Sequence, residues 1–60
     1  MYYLVVVDEW CSDDAGASST RVYDTDSLAQ AWAIERNNNY AIDIEGYSST
    51  RVAYIEVVHD

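Results

Sequence analysis

The sequence predicts an α+β fold, a four-stranded antiparallel sheet with one helix packed on one face, in the order β-β-α-β-β. Three observations carry this expectation. The chain opens on a run of aromatic and β-branched residues, Tyr2 to Trp10, that has strand composition throughout. A single stretch of good helix formers follows from Ser27 to about Asn37. Beyond it, two more strand-like segments are joined across Gly46.

The first strand has the uninterrupted centre Val5-Val6-Val7, which predicts a central strand covered at least in part on both faces. Cys11 to Ser19 carries turn chemistry in Ser12, Asp13, Asp14, Gly16 and Ser18, and reads as a loop. Thr20 to Asp24 is a second, shorter strand. The cluster Thr25-Asp26-Ser27 then marks a helix start, with Thr25 or Asp26 as the expected acceptor for the first free N–H groups and the acidic side chain suited to the positive end of the helix dipole. At 100° per residue Leu28, Ala31 and Ile34 share a face, with Trp32 at its flank, and that face is expected to lie on the sheet. Asn37-Asn38-Asn39 stops the helix. Tyr40 to Tyr47 alternates, with Tyr40, Ile42 and Ile44 against Ala41, Asp43 and Glu45, and reads as a half-buried strand. Gly46 to Ser49 is the expected hairpin connection and Thr50 to Val58 the last strand. Pattern alone does not choose the inner side of that strand, because Ala53, Ile55 and Val57 alternate with Val52, Tyr54 and Val58.

One pentapeptide recurs: Ser18-Ser19-Thr20-Arg21-Val22 returns as Ser48-Ser49-Thr50-Arg51-Val52, each time near the start of the second strand of a predicted hairpin. Two copies exclude a solenoid.

Charge is the outlier in composition. Eleven Asp and Glu face three Arg and no Lys among 60 residues, for a net charge of -8. Phosphate contacts need clustered cations, so direct nucleic-acid binding is disfavoured and a basic partner favoured. Half the residues are hydrophobic, which separates the chain from disordered acidic tails. No segment reaches the roughly eighteen apolar residues of a membrane span, and the start Met1-Tyr2-Tyr3-Leu4 lacks the basic region of a signal peptide. A lone cysteine, Cys11, offers no intramolecular disulfide and fits a reducing, cytoplasmic setting.

Catalytic constellations are sparse. The one histidine, His59, stands beside the C-terminus, and the two glycines, Gly16 and Gly46, are too far apart for a phosphate loop. The acids around the first loop, Asp8, Glu9, Asp13 and Asp14, lack the spacing of a calcium loop. A one-helix domain leaves little volume for a cleft that would separate the pKa values of paired carboxylates. The sequence therefore predicts no enzyme, no cofactor and no metal. Its candidate partner-binding residues are Asp8, Glu9, Asp13, Asp14, Asp24, Asp26, Asp43, Glu45 and Glu56, with Tyr47 and Tyr54 as aromatic anchors on a sheet face that one helix leaves open. Asp43 and Glu45, two apart on one strand, are expected to form a row with the spacing of backbone phosphates, about 6.5 to 7 Å.

In size, acidity and order of elements, with a capped helix start at Asp26-Ser27-Leu28-Ala29-Gln30-Ala31, the chain resembles the small acidic anti-defence proteins of bacteriophages, anti-CRISPR proteins and DNA mimics among them. That resemblance implies action in the cytoplasm of a bacterial host. It also implies inhibition by occupancy of a basic nucleic-acid-binding protein or nucleoprotein complex, the chain acting as monomer or homodimer. The alternative from another class is a homo-oligomeric structural or regulatory protein whose open face or strand edge pairs with a second copy.

Overall fold

The structure, a computed structural model, describes residues 1–12 and 18–59. Its elements run β1 (Tyr2–Cys11), β2 (Ser18–Thr25), α1 (Leu28–Asn37), β3 (Tyr40–Ile44) and β4 (Tyr47–Val58), the order the sequence predicts. All four strands form one antiparallel sheet with spatial order β2-β1-β4-β3. β1 is central, paired along one edge with β2 and along the other with β4.

The register assigns every side chain to a face, because residues directly opposite across a ladder point the same way. Tyr23, Val5 and Ile55 lie abreast on one face, and Val22, Val6 and Tyr54 on the other. The helix lies on the first. Val5, Val7, Ala31 and Ala53 form the core, with Tyr3, Tyr23, Ile34 and Ile55 packed against it. Ala31 is fully buried, and its small side chain lets the helix backbone approach the valines of β1. Ala53, Ile55 and Val57 are thereby the inner set of β4, settling the choice that pattern left open.

Several expectations are corrected. The N-cap is Ser27, whose hydroxyl accepts from the Gln30 N–H at 3.2 Å; Thr25 supports it by accepting from the Ser27 N–H and donating to the Gln30 side chain. Leu28 is exposed, so the seated face of α1 is Ala31 and Ile34, extended by the buried Asn38 after the helix. β3 stops at Ile44, the hairpin turns on Glu45-Gly46 alone, and β4 begins at Tyr47. Gly46 takes φ +81°, a left-handed conformation that glycine adopts without steric penalty. β3 is exposed along its whole length and not half-buried, because the helix packs over β1, β4 and β2 and leaves this edge uncovered. β1 is central, yet the helix covers it on one face only.

The asparagine tract stops the helix and also fastens it. Asn38 donates to the Ile34 carbonyl at 2.7 Å and accepts from the Arg51 guanidinium at 2.9 Å. Asn39 donates to the carbonyls of Glu35 and Ala53 and accepts from the Ala53 N–H. Its amide thus takes the place of a strand residue beside β4 just before β3 begins.

Replacing Ser27 with Ala is expected to lower stability by about 1 kcal/mol, the usual loss for an N-cap. In a domain of this size that is a fall of roughly 4–8 °C in Tm, read by circular dichroism. An unchanged melt would mean that Ser27 does not cap α1.

Candidate functional site

The two faces of the sheet differ in charge. On the helix side, Arg21 stands opposite Val7 and Arg51 opposite Glu9, and the third arginine, Arg36, belongs to the helix. The helix-free face holds Asp8, Asp24, Asp43 and Glu56, and no Arg or Lys among the described residues. Three cross-strand rows define its centre. Asp24, Leu4 and Glu56 form the first, Val22, Val6 and Tyr54 the second, and Thr20, Asp8 and Val52 the third. Trp10 follows between Ser18 and Thr50. Val22 and Val52 are 55% and 52% exposed and Tyr54 46%, so apolar side chains stand among the acids and no described residue covers them.

The carboxylates on this face are engaged unequally. Asp8 accepts a hydrogen bond from the Thr20 hydroxyl at 2.8 Å, and Asp43 one from the Ser48 hydroxyl at 3.4 Å. Asp24 and Glu56 have no side-chain partner among the described residues and point their full charge at solvent.

Of the residues singled out by sequence, five come together here: Asp8, Asp24, Asp43, Tyr54 and Glu56. Glu9 and Tyr47 lie on the helix side. Asp26 and Glu45 sit in the connections before α1 and between β3 and β4. The Asp43–Glu45 row does not form, since the strand ends between them. Asp13 and Asp14 fall outside the described residues. Sequence reasoning passed over Leu4, Val6, Val22, Val52 and Trp10 as parts of the surface. The alternation Tyr2, Leu4, Val6, Asp8, Trp10 was the signal, hidden by the equally apolar set Tyr3, Val5, Val7 between them.

Glu9 is spoken for. It accepts from the Arg51 Nε at 2.5 Å, both side chains being about 30% exposed. Arg51 also reaches Asn38 and lies over the Tyr40 ring, 5.7 Å from its centroid. Donating this hydrogen bond to Glu9 raises the Arg51 pKa above the ordinary arginine range, which holds the guanidinium in its charged form. The pair fastens the sheet end beyond the helix and leaves Glu9 unsuited to a partner. Beside it, Val7, Glu9, Ser19, Arg21, Tyr23 and Arg51 line a cup of about 10 Å³, room for one water.

A larger, open depression of about 350 Å³ is lined by Asp8, Glu9, Trp10, Ser18, Ser19, Thr50 and Val52. Its lining has acids and hydroxyls but no histidine or thiol to activate them. The single cysteine, Cys11, is half-buried near Ser49 and Tyr47, with its sulfur 3.7 and 4.0 Å from their hydroxyls. No group of three or more His, Cys, Asp or Glu side chains among the described residues gathers as a metal site. Among the described residues no helix is long and apolar enough to cross a membrane.

The fold and face together define a single helix laid on one side of a four-stranded sheet whose other side is acidic, aromatic and uncovered. Comparison with family models, curated proteins and solved structures finds no match to this chain.

Proposed function

We propose that the chain is a non-enzymatic, protein-binding inhibitor that docks its helix-free face on the basic nucleic-acid-binding surface of a host defence complex, of the anti-CRISPR or anti-restriction kind, and displaces the nucleic acid. The segregation of charge carries this reading: among the described residues, four carboxylates and no Arg or Lys share the sheet face that the helix leaves uncovered. A groove that neutralises phosphates with Lys and Arg attracts such a surface from a distance and speeds association. The imitation of DNA is partial. Glu56 and Asp8 stand on adjacent strands two rows apart, roughly 13 Å along the strand direction, a wider interval than a phosphate ladder. Individual carboxylates thus meet individual cations, and Val22, Val52, Tyr54 and Trp10 supply the apolar contact between them.

A second reading, self-association, is favoured by one observation, the exposure of those apolar side chains together with the uncovered edge β3, which carries neither Lys nor Pro.

Immobilised protein, exposed to bacterial lysate at low salt, is expected to retain nucleic-acid-binding proteins that duplex DNA and added salt release. Changing Asp8, Asp24 and Asp43 to Asn and Glu56 to Gln should abolish that retention with an unaltered circular dichroism spectrum. Retention that persists in DNA and high salt, or in the fourfold variant, would sink the reading. A stable dimer in sedimentation that loses its association when Val22 and Val52 become Ser would establish self-association instead.

A further inference from the structure

The spacing of the helix-free face is that of a missing helix. Asp24 and Glu56 stand on the strands to either side of β1 with Leu4 between them. At about 4.8 Å per strand they are roughly 10 Å apart, and an α-helix with its side chains is about 10–12 Å across. Along the strands, apolar side chains hold the centre of the Leu4 and Val6 rows and continue as Val52 in the next, where Asp8 takes the centre, two steps of about 6.7 Å, or roughly 13 Å in all. That is the length of about nine helical residues. On the opposite face the same sheet already accepts a helix, α1, through Val5 and Val7 of the same strand.

We propose that the helix-free face receives an amphipathic basic α-helix of the partner, its apolar stripe seated on Leu4, Val6, Val22 and Tyr54 and its flanking Lys or Arg side chains reaching Asp24 on one side and Glu56 on the other. The inference rests on the docking role proposed above and names the element docked. Charge complementarity selects this occupant. A second copy would offer the same apolar residues, but it would set carboxylates against carboxylates in a chain of net charge -8. A basic helix meets those apolar residues and neutralises both acidic flanks. Long cationic side chains suit this geometry, since their stems pack along apolar surface while the charged ends reach the rim.

The test uses the full chain, labelled with ¹⁵N, and synthetic 14-residue peptides of Leu and Lys. One has its leucines at helical spacing and another has the same composition scrambled to remove the apolar face. At low salt the periodic peptide is expected to shift the amides around Leu4, Val6, Val22 and Tyr54. It should gain helicity on binding and bind at least tenfold more tightly than the scrambled one. The double variant Asp24→Lys, Glu56→Lys should weaken it at least tenfold while keeping the dispersed spectrum of the folded protein. Equal binding of both peptides on this face overturns the helix and leaves the docking role standing, since the face then reads charge alone. Shifts confined to the α1 side overturn both. A peptide-free protein already dimerised through this face overturns both in favour of the second copy.

Discussion

Replacing Val5 with Ala is expected to remove about 2–3 kcal/mol of stability, the transfer free energy of two methylene-sized groups plus the cavity they leave. Val5 is fully buried where β1 passes under α1, touching the core that Val7, Ala31 and Ala53 complete. A core in a domain this small rarely supplies more than about 3–5 kcal/mol net, so the loss is about half of the whole or more. Thermal melts should show a fall of roughly 10–20 °C at about 4–8 °C per kcal/mol. Val22 is the matched control: it lies on the neighbouring strand but on the uncovered face, 55% exposed, and its change to Ala should stay within about 0.5 kcal/mol. Equal losses at the two positions would place the helix on the wrong face of the sheet.

Replacing Asn39 with Ala is the second large expectation, and it acts through the backbone. The Asn39 amide holds the Ala53 N–H and C=O at 3.0 Å each and the Glu35 carbonyl at 2.9 Å, tying the end of α1 to β4. Ala53 is 7% exposed, so its amide groups have little access to water once that partner is gone. Three bonds at about 0.5–1.5 kcal/mol each, eased by the exposure of Asn39 itself, put the loss at about 2 kcal/mol. Asn39→Asp keeps an acceptor for the Ala53 N–H but sets a carboxylate oxygen against the carbonyls of Glu35 and Ala53, so it should cost at least as much as Asn39→Ala. Hydrogen exchange reads the mechanism directly: the Ala53 amide should exchange faster in Asn39→Ala by more than the global destabilisation explains. An unchanged Ala53 amide would refute the tie.

The order of elements was legible because local signals agreed. β-branched residues marked the strands, Ser27 and the asparagines bounded the helix, and Gly46 placed the hairpin. What escaped depended on contacts between elements. β3 alternates as a half-buried strand should, yet whether Ile42 and Ile44 are covered is decided by how far a ten-residue helix reaches across the sheet. Leu28 has the residue type and phase of a core position and is exposed because the seated part of α1 lies a turn further on. The candidate surface was legible as acidity and as an open face. Its membership was not, because a one-residue change in register would exchange Asp8 for Glu9 and bring Arg21 and Arg51 to the other side.

That the two flanking strands of β1 are β2 and β4 has a kinetic consequence. The β1–β2 ladder joins near neighbours, but the β1–β4 ladder joins Tyr2 to Val58 and Cys11 to Ser49, across most of the chain. Closing so long a loop precedes any reward from pairing it, which places folding in the slower range for small domains, about milliseconds to seconds. Until that ladder zips, the helix has only half its seat, for Ala53 and Ile55 arrive with β4. The early hairpin therefore waits as an unfinished surface, and β4 is the strand that makes the molecule fold cooperatively.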